Sequence, residues 1–396
     1  MLKKNIIIIG AGPSGLTLAA LLQHHSIPFT LYEREPNISS RFQGGSLDLH
    51  PESGQRALRT AGLEASFKKH ARYHDQDYRF MDKHAKDWLF HQAPPDAEGR
   101  PEIDRSELRK ILIDAIDPEN LKWGHHISKI TKTADGKYEV HFENHDTSAV
   151  GDLIVGADGT WSKVRTLLTA TRPVYTGLTV IDCRISNLDK KFPELGKFIG
   201  RGTVFALSDG SGIFMQRNGD DSLRVYPCLK VPEKWAFESG IDWTDQKNAT
   251  KMLLEDVYSD WDGRLKEVIL SLDPKWNPRA QYRMPLGMRY ETKPGLTLIG
   301  DSMHVMSWFA GEGANLAMLD ALDLFLCIQK DPADLVTAVR NYEERVMGRA
   351  DSTNKMSQDL LEEAMADDSP RAYVESMSKA MDIWFADGRL LEDVEL

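Results

Sequence analysis

Residues 5–35, NIIIIGAGPSGLTLAALLQHHSIPFTLYERE, limit what this chain can fold into more than any other stretch. Four consecutive isoleucines suit a strand buried on both faces. Gly10-Ala11-Gly12-Pro13-Ser14-Gly15 follows, then a helical run to His24 and a second strand, Phe29 to Tyr32, closed by Glu33. Strand, helix and strand, with G-x-G-x-x-G at the first turn and an acid about 20 residues on, is the order a dinucleotide site requires. Gly10 permits the tight turn, Gly12 lets backbone approach a pyrophosphate, and Gly15 lets helix and strand pack closely. The helix that Pro13 and Ser14 open points its N-terminus at the phosphates, and Glu33 can accept from a ribose hydroxyl. A chance glycine turn would account for the three glycines, but not for the two strands, the helix and the acid together.

Further along, GGSLDLHPESGQRALRTAGL (44–63) reads as a glycine-rich loop followed by a helix. Alternating aromatics over 73–95 suggest strands. EIDRSELRKILIDAI (102–116) is a helix with Asp104 and Glu107 at capping-box spacing. Its Arg105 and Arg109, one turn apart, read first as solvated surface arginines. ISKITKTADGKYEVHFEN is a hairpin turning at Asp135-Gly136. DLIVGADGTWSKVR (152–165) is another buried strand, running into Asp158-Gly159. From about 173 to 276 the pattern changes to short alternating runs, the mark of a β-sheet, with a helix near 247–258. GLTLIGD (295–301) is a further strand. It leads into GDSMHVMSWFAGEGANLAMLDALDL, where small and polar residues precede a helix. Leu335, Val339, Tyr342 and Val346 keep helical spacing, and Pro370 breaks the helices that close the chain.

Composition excludes several classes. The 396 residues carry a net charge of −11, which argues against a nucleic-acid surface. Three widely spaced cysteines, Cys183, Cys228 and Cys327, suggest neither a disulfide framework nor a metal site, and point to a reducing, cytoplasmic setting. No run reaches the roughly 18 apolar residues of a membrane span. No metal is expected.

Three strand-ended turns, at 10–15, 158–159 and 300–301, would gather at the carboxyl edge of one parallel sheet, where ligands bind. Only the first is a full dinucleotide fingerprint, so one dinucleotide is held by it and any second one must bind by other means. In order and spacing, the amino-terminal G-x-G-x-x-G, the central GADGTWSKVR and the late GDSMH…FAGEGAN resemble the single-component (class A) flavin-dependent monooxygenases of the p-hydroxybenzoate hydroxylase fold. YEREPNISSRFQGGSLDLHPESGQRAL is similar to the tetracycline-inactivating monooxygenases and to fungal-type enzymes of secondary metabolism.

The resemblance implies an α/β fold. An FAD-binding Rossmann-like domain would be formed discontinuously by 1–72, 100–172 and 277–330. A mixed β-sheet substrate domain would comprise 73–99 and 173–276, and helices would fill 331–396. Beside Gly10, Gly12, Pro13, Ser14 and Gly15, it implies that Glu33 and Arg34 hold the adenosine ribose and that Arg105 reaches the pyrophosphate side. Asp301 would bind the ribityl chain, and Gly311, Gly313, Ala314 and Asn315 would aim N–H groups at the flavin pyrimidine edge. Asp48 would lie by the flavin, Asp158 belongs to a motif tied to FAD and NADPH, and Arg41 stands where a nicotinamide-phosphate contact falls. The implied reaction takes hydride from NADPH, adds O2 at flavin C4a, and passes one oxygen from that hydroperoxide to an aromatic or polyketide-like molecule.

This chain departs from the family at Trp308, where proline is usual, at Glu312, often glutamine, and at Ser302 and Met303, commonly alanines. Trp308 would sit over the reactive edge of the flavin and contact substrate. The family's tetracycline-binding residues align with Asp182 and Arg224. His304 is a candidate for proton handling, though a histidine bonded within its own turn is the plainer reading. Trp88 and Trp161 read as core. Beside the monooxygenase stand a flavin oxidase or dehydrogenase on the same scaffold, and a flavin-binding protein without catalysis. A monomer and a homodimer are equally compatible with the sequence.

Overall fold

Ile6, Ile7 and Ile8 are fully buried, and Ile9 nearly so, because Ile6–Ile9 is the central strand of a five-stranded parallel sheet. In this computed structural model, which describes residues 4–40, 44–94, 99–143 and 145–386, the strands run in the order Leu296–Leu298, Leu153–Gly156, Ile6–Ile9, Phe29–Tyr32, Leu121–Lys122. Ile8 lies beside both Val155 and Leu31, and Val155 beside Thr297. Main-chain bonds continue past the strand ends: Gly10 N–H donates to Tyr32 (2.8 Å), Ala157 to Ile9 (2.8 Å) and Ile299 to Gly156 (2.9 Å). The three glycine turns therefore emerge side by side at one carboxyl edge, as the sequence suggests.

The helix Pro13–His24 starts with proline in its first turn, where the missing N–H costs nothing. It packs against the helix Gly313–Lys330. The helix Leu335–Ala364 lies on the latter and buries Leu335, Val339, Tyr342 and Val346 at the expected spacing.

A second sheet has seven strands, in the order Asn277–Arg283, Val174–Ile185, Leu223–Lys230, Ser211–Arg217, Thr203–Ser208, Tyr78–Met81, Asp87–His91. Its pairs are antiparallel except for Thr203–Ser208 with Tyr78–Met81. Alternation divides its side chains between two cores. Val204, Ala206, Ile213, Met215 and Val225 join one with Leu265 and Ile269. Phe205, Leu207, Val180 and Cys228 join the other with Phe80, Phe309, Tyr373 and Met377. Phe80 stacks on Phe205 with ring centroids 4.9 Å apart. Fully burying one such ring stabilises the fold by about 1.5–3 kcal/mol. A hairpin sheet turns at Gly136, and Ser46–Asp48 pairs with Glu102–Asp104. Among the described residues no helix is long and apolar enough to cross a membrane.

Several expectations need correcting. The strand Asn277–Arg283, placed with the nucleotide-binding segments by a boundary at 276, hydrogen-bonds to Val174–Ile185 in the second sheet. Its sequence, NPRAQYR, does alternate, with Pro278, Ala280 and Tyr282 between polar residues, but a proline and an alanine are weak strand formers and the boundary passed over it. Asp104 caps no N–H of the helix Arg105–Asp114. Its carboxylate accepts instead from Arg72 (2.7 Å) and from Gly219 N–H (3.2 Å). Arg109 is buried, paired with Glu35 (2.8 Å) and donating to the Ile38 carbonyl (2.9 Å). Trp88 and Trp161 lie at the surface, 38% and 59% exposed.

Candidate active site

At the first turn Gly10 has φ 105°, and a Cβ there would stand 2.3 Å from the Ala157 carbonyl oxygen. A Cβ on Gly15 would stand 2.0 Å from the Gly10 carbonyl oxygen, so these two glycines are needed for packing. Gly12 differs: a Cβ there meets nothing within 4 Å. Its backbone borders open space at the start of the Pro13–His24 helix, where the N–H groups and dipole favour an anion. Glu33 is buried and accepts from Ala11 N–H (2.6 Å) and Glu35 N–H (2.9 Å), which fixes its carboxylate beside the turn. Arg34 is exposed next to it.

The second and third turns are joined by Arg165, which the sequence reading did not single out. Its guanidinium, 3% exposed, donates to the carbonyls of Ser302 (2.8 Å) and Thr160 (2.5 Å). Asp158 accepts from Lys163 N–H (2.7 Å) and Val164 N–H (3.3 Å), while its other carboxylate oxygen is buried without a partner. Burial pushes its pKa up, against those hydrogen bonds. Ser302 donates to the carbonyls of Gly156 (2.6 Å) and Ile299 (2.8 Å), and so fastens the third turn to the strand behind the second. Gly300 has φ 62° and leaves no room for a side chain, since a Cβ would meet Ser14 Oγ at 2.7 Å.

Asp301 is solvent-exposed on one side and crowded by protein on the others. Burial raises its carboxyl pKa, opposed by His304 and by Arg105. Arg105 is itself exposed and lies along Gly44. His304 points away from solvent: its Nε2 meets Asp320 at 2.5 Å, and Asp320 also accepts from Gly300 N–H (2.9 Å) and Arg349 (2.9 Å). Arg349 reaches Asp323 as well (2.6 Å). The ring is thus bonded not within its own turn, as the plainer reading had it, but to Asp320 on the following helix, Gly313–Lys330.

The helix start at Gly313 faces open space too, since a Cβ on Gly311 or Gly313 would meet nothing within 4 Å. Asn315 is fully buried two residues on. Its amide donates to the Asp48 carbonyl (2.8 Å) and accepts from His50 N–H (2.9 Å) and Ser53 (3.2 Å). The side chain thus staples the Ser46–Asp48 strand and the turn after it to the helix, leaving Gly313 and Ala314 as the backbone at the opening. His50, also unforeseen, lies beneath. Its Nε2 is 3.0 Å from Asp48 and 3.2 Å from Arg100, and its Nδ1 is 3.5 Å from Glu312.

The second sheet closes the other side. A Cβ on Gly45 would touch Gln216 (2.5 Å), Tyr226 (3.3 Å) and Arg224 (3.4 Å), so the loop before Asp48 lies against this sheet. Trp308 packs against the same sheet. Its indole packs on Phe214 (5.8 Å, 20° between planes) and Tyr226 (5.6 Å), both strand residues. Asp182 and Arg224 form an ion pair, with Arg279 3.5 Å from Asp182, so these candidates neutralise one another. Arg41 lies outside the described residues.

A family model described as "FAD binding domain" matches residues 3–330. Monooxygenase penA of Penicillium thymicola is 28% identical over 406 residues, spanning 89% of this chain and 93% of that protein. The 3-amino-4-hydroxybenzoate 2-monooxygenase of Streptomyces cremeus is 24% identical over 380 residues, spanning 92% and 89%. Among solved structures, Klebsiella pneumoniae HpxO complexed with FAD and uric acid superimposes with TM-score 0.78 at 19% identity, covering 96% of this chain and 93% of that one. Tetracycline destructase Tet(55) gives 0.75 at 20%, covering 97% of each.

Proposed function

The chain belongs to the FAD binding domain family, as an FAD-dependent oxidoreductase of the monooxygenase class with the p-hydroxybenzoate hydroxylase fold, and from that premise we propose that it spends NADPH and O2 to oxygenate an aromatic or polyketide-like small molecule. The residues present fit FAD. The cradle at Gly12 is open, backbone is bare at Gly311 and Gly313, Asp301 faces solvent, and one oxygen of Asp158 is buried without a partner.

In this reading Gly10, Gly12, Pro13, Ser14 and Gly15 shape the pyrophosphate site, with Arg105 beside it. Glu33 and Arg34 take the adenosine ribose, Asp301 the ribityl chain, and Asp158 steadies the turn between them. Gly311, Gly313 and Ala314 present N–H donors to the pyrimidine edge, with Asn315 and Asp48 holding that edge in place. Preorganised donors at a helix start stabilise negative charge where it develops. FAD, when bound, supplies hydride acceptance and oxygen activation.

The observation that carries the substrate class is the aromatic wall formed by Trp308, Phe214 and Tyr226. Flat rings stack on such a wall, and Trp308 precedes the Gly311–Gly313 turn in the chain. The Asp182–Arg224 pair, with Arg279 3.5 Å from Asp182, offers a carbonyl or hydroxyl both donors and an acceptor. NADPH as reductant rests on the single dinucleotide fingerprint, which FAD takes.

The test is turnover with NADPH under 18O2 against a panel of phenols and aromatic ketones, read by mass spectrometry. Products heavier by one labelled oxygen support the proposal. Oxidised products without label, formed with hydrogen peroxide, would make the protein an oxidase, the reading that Trp308 in place of proline favours.

A further inference from the structure

His50 is 1% exposed, yet both of its ring nitrogens face carboxylates from different parts of the chain. Nε2 lies 3.0 Å from Asp48, at the end of the Ser46–Asp48 strand. Nδ1 has no hydrogen-bond partner, and its nearest acids are Glu312, at the cap of the Gly313 helix (3.5 Å), and Glu52 in the following turn (3.8 Å). Arg100, from the segment before Glu102–Asp104, approaches Nε2 at 3.2 Å.

A neutral imidazole has one N–H and one lone pair, so it cannot donate to acids on both sides. The imidazolium donates to Asp48 and faces Glu312 with its second N–H. Once neutral, the ring keeps a single N–H, so only one of Asp48 and Glu312 can be met by a donor and the other nitrogen offers a lone pair. The same ring position thus serves two bonding states that differ by one charge, directly behind the N-terminus of a helix.

We propose that His50 is a positioning residue: its ring joins Asp48 to Glu312 and sets the net charge behind the Gly313 helix start, and with it the ease with which the bound flavin accepts electrons. This rests on the FAD reading above. The surroundings agree in direction. Burial alone would lower the pKa of His50, but Asp48 and Glu312 outweigh it and Arg100, and the net displacement is upward. Glu312 is itself raised by burial. One further group titrates nearby: Glu102, paired with Asp48 across the ladder, is pushed up to about 8 by burial and by Asp48.

The experiment measures the reduction potential of the bound FAD between pH 6 and 9 in the wild type and in His50→Gln. At pH 6 the wild type carries an extra positive charge, so its FAD is easier to reduce, by about tenfold or more in the reduction equilibrium. The gap closes as pH rises and the wild-type ring loses its proton. A gap that is zero throughout, or constant with pH, overturns the proposal, because packing alone has no reason to follow the His50 titration. The same pair is compared in a Glu102→Gln background. If the pH dependence vanishes there, it belongs to Glu102 and the proposal falls.

Should His50→Gln fail to retain FAD, Glu312→Gln takes its place. It should move the pH-dependent change in potential to lower pH, because Glu312 helps hold the His50 proton, and an unmoved profile overturns the idea. Should the wild-type protein bind no FAD, the flavoprotein reading fails separately. The His50 ring resonances of the FAD-free protein then still decide on the cluster: Glu312→Gln must lower the pH at which they titrate, and no change overturns it.

Discussion

Arg165 donates to the main-chain carbonyl of Ser302 at 2.8 Å, so the second glycine turn and the third are held together by a guanidinium almost closed to solvent. It donates to Thr160 at the same time, and the planar fork suits two carbonyls at once. Arg165→Met keeps the bulk and removes the donors. Two carbonyls would lose charge-assisted partners, for a loss of about 3 kcal/mol. The midpoint of denaturant unfolding should fall, and FAD content with it. An unchanged midpoint would show that the two turns are held in register by their strands alone.

Gly12 and Gly15 should separate binding from folding. Gly12→Val introduces a side chain where the protein has no atoms within 4 Å, so the fold should survive and FAD affinity should fall at least about a hundredfold. Gly15→Val meets the Gly10 carbonyl oxygen and should destabilise the protein itself. Flavin fluorescence titration beside melting temperature distinguishes the two. Equal losses of stability would remove Gly12 from the list of ligand-facing positions.

The His304–Asp320 pair makes stability depend on pH from both sides. Burial would lower the His304 pKa, but Asp320 more than offsets this and the net shift is upward. That contribution is complete below about pH 6.5, the unfolded value, and is lost as pH rises through the folded one. Burial would raise Asp320, but His304 and Arg349 outweigh it and the net shift is downward. Its contribution is present above about pH 3.9 and is lost as pH falls through the folded value. Asp320→Asn strands His304, leaves Arg349 with Asp323 alone, and should cost about 3–5 kcal/mol near pH 6. The deficit should narrow towards pH 9. Urea titrations across that range measure it, and a deficit that does not change with pH would mean that His304 does not titrate between pH 6 and 9.

Trp308→Pro installs the usual family residue and removes the indole from Phe214 and Tyr226. Substrate preference, or the fraction of NADPH consumption that yields product, should change while FAD is retained. Loss of FAD together with a lowered melting temperature would instead make Trp308 a packing residue.

The parts of the site that could be read from sequence are those whose geometry is local. Gly10 to Glu33 form strand, turn, helix and strand in a single stretch, and each residue falls where that order requires. His50 could not be read, because Asp48, Arg100 and Glu312 come from separate segments and a lone histidine after a leucine carries no signal. Asp104 had the spacing of a helix cap, yet Arg72 and Gly219 compete for the same carboxylate and prevail. Arg109 read as a surface cation because its partner Glu35 lies on a loop whose path only the fold reveals.

The sheet order has a consequence for synthesis. Leu153–Gly156, all four residues buried in the finished protein, takes its outer neighbour from Leu296–Leu298, about 140 residues later along the chain. At roughly 5–20 residues per second, translation leaves that edge unpaired for on the order of ten seconds, while most of the seven-stranded sheet emerges in between. An apolar edge left open beside strands still seeking partners invites mispairing. The time that edge stays open is set by how fast 157–295 is translated, so slowing translation across that stretch should lower the yield of correctly folded protein without changing a single residue.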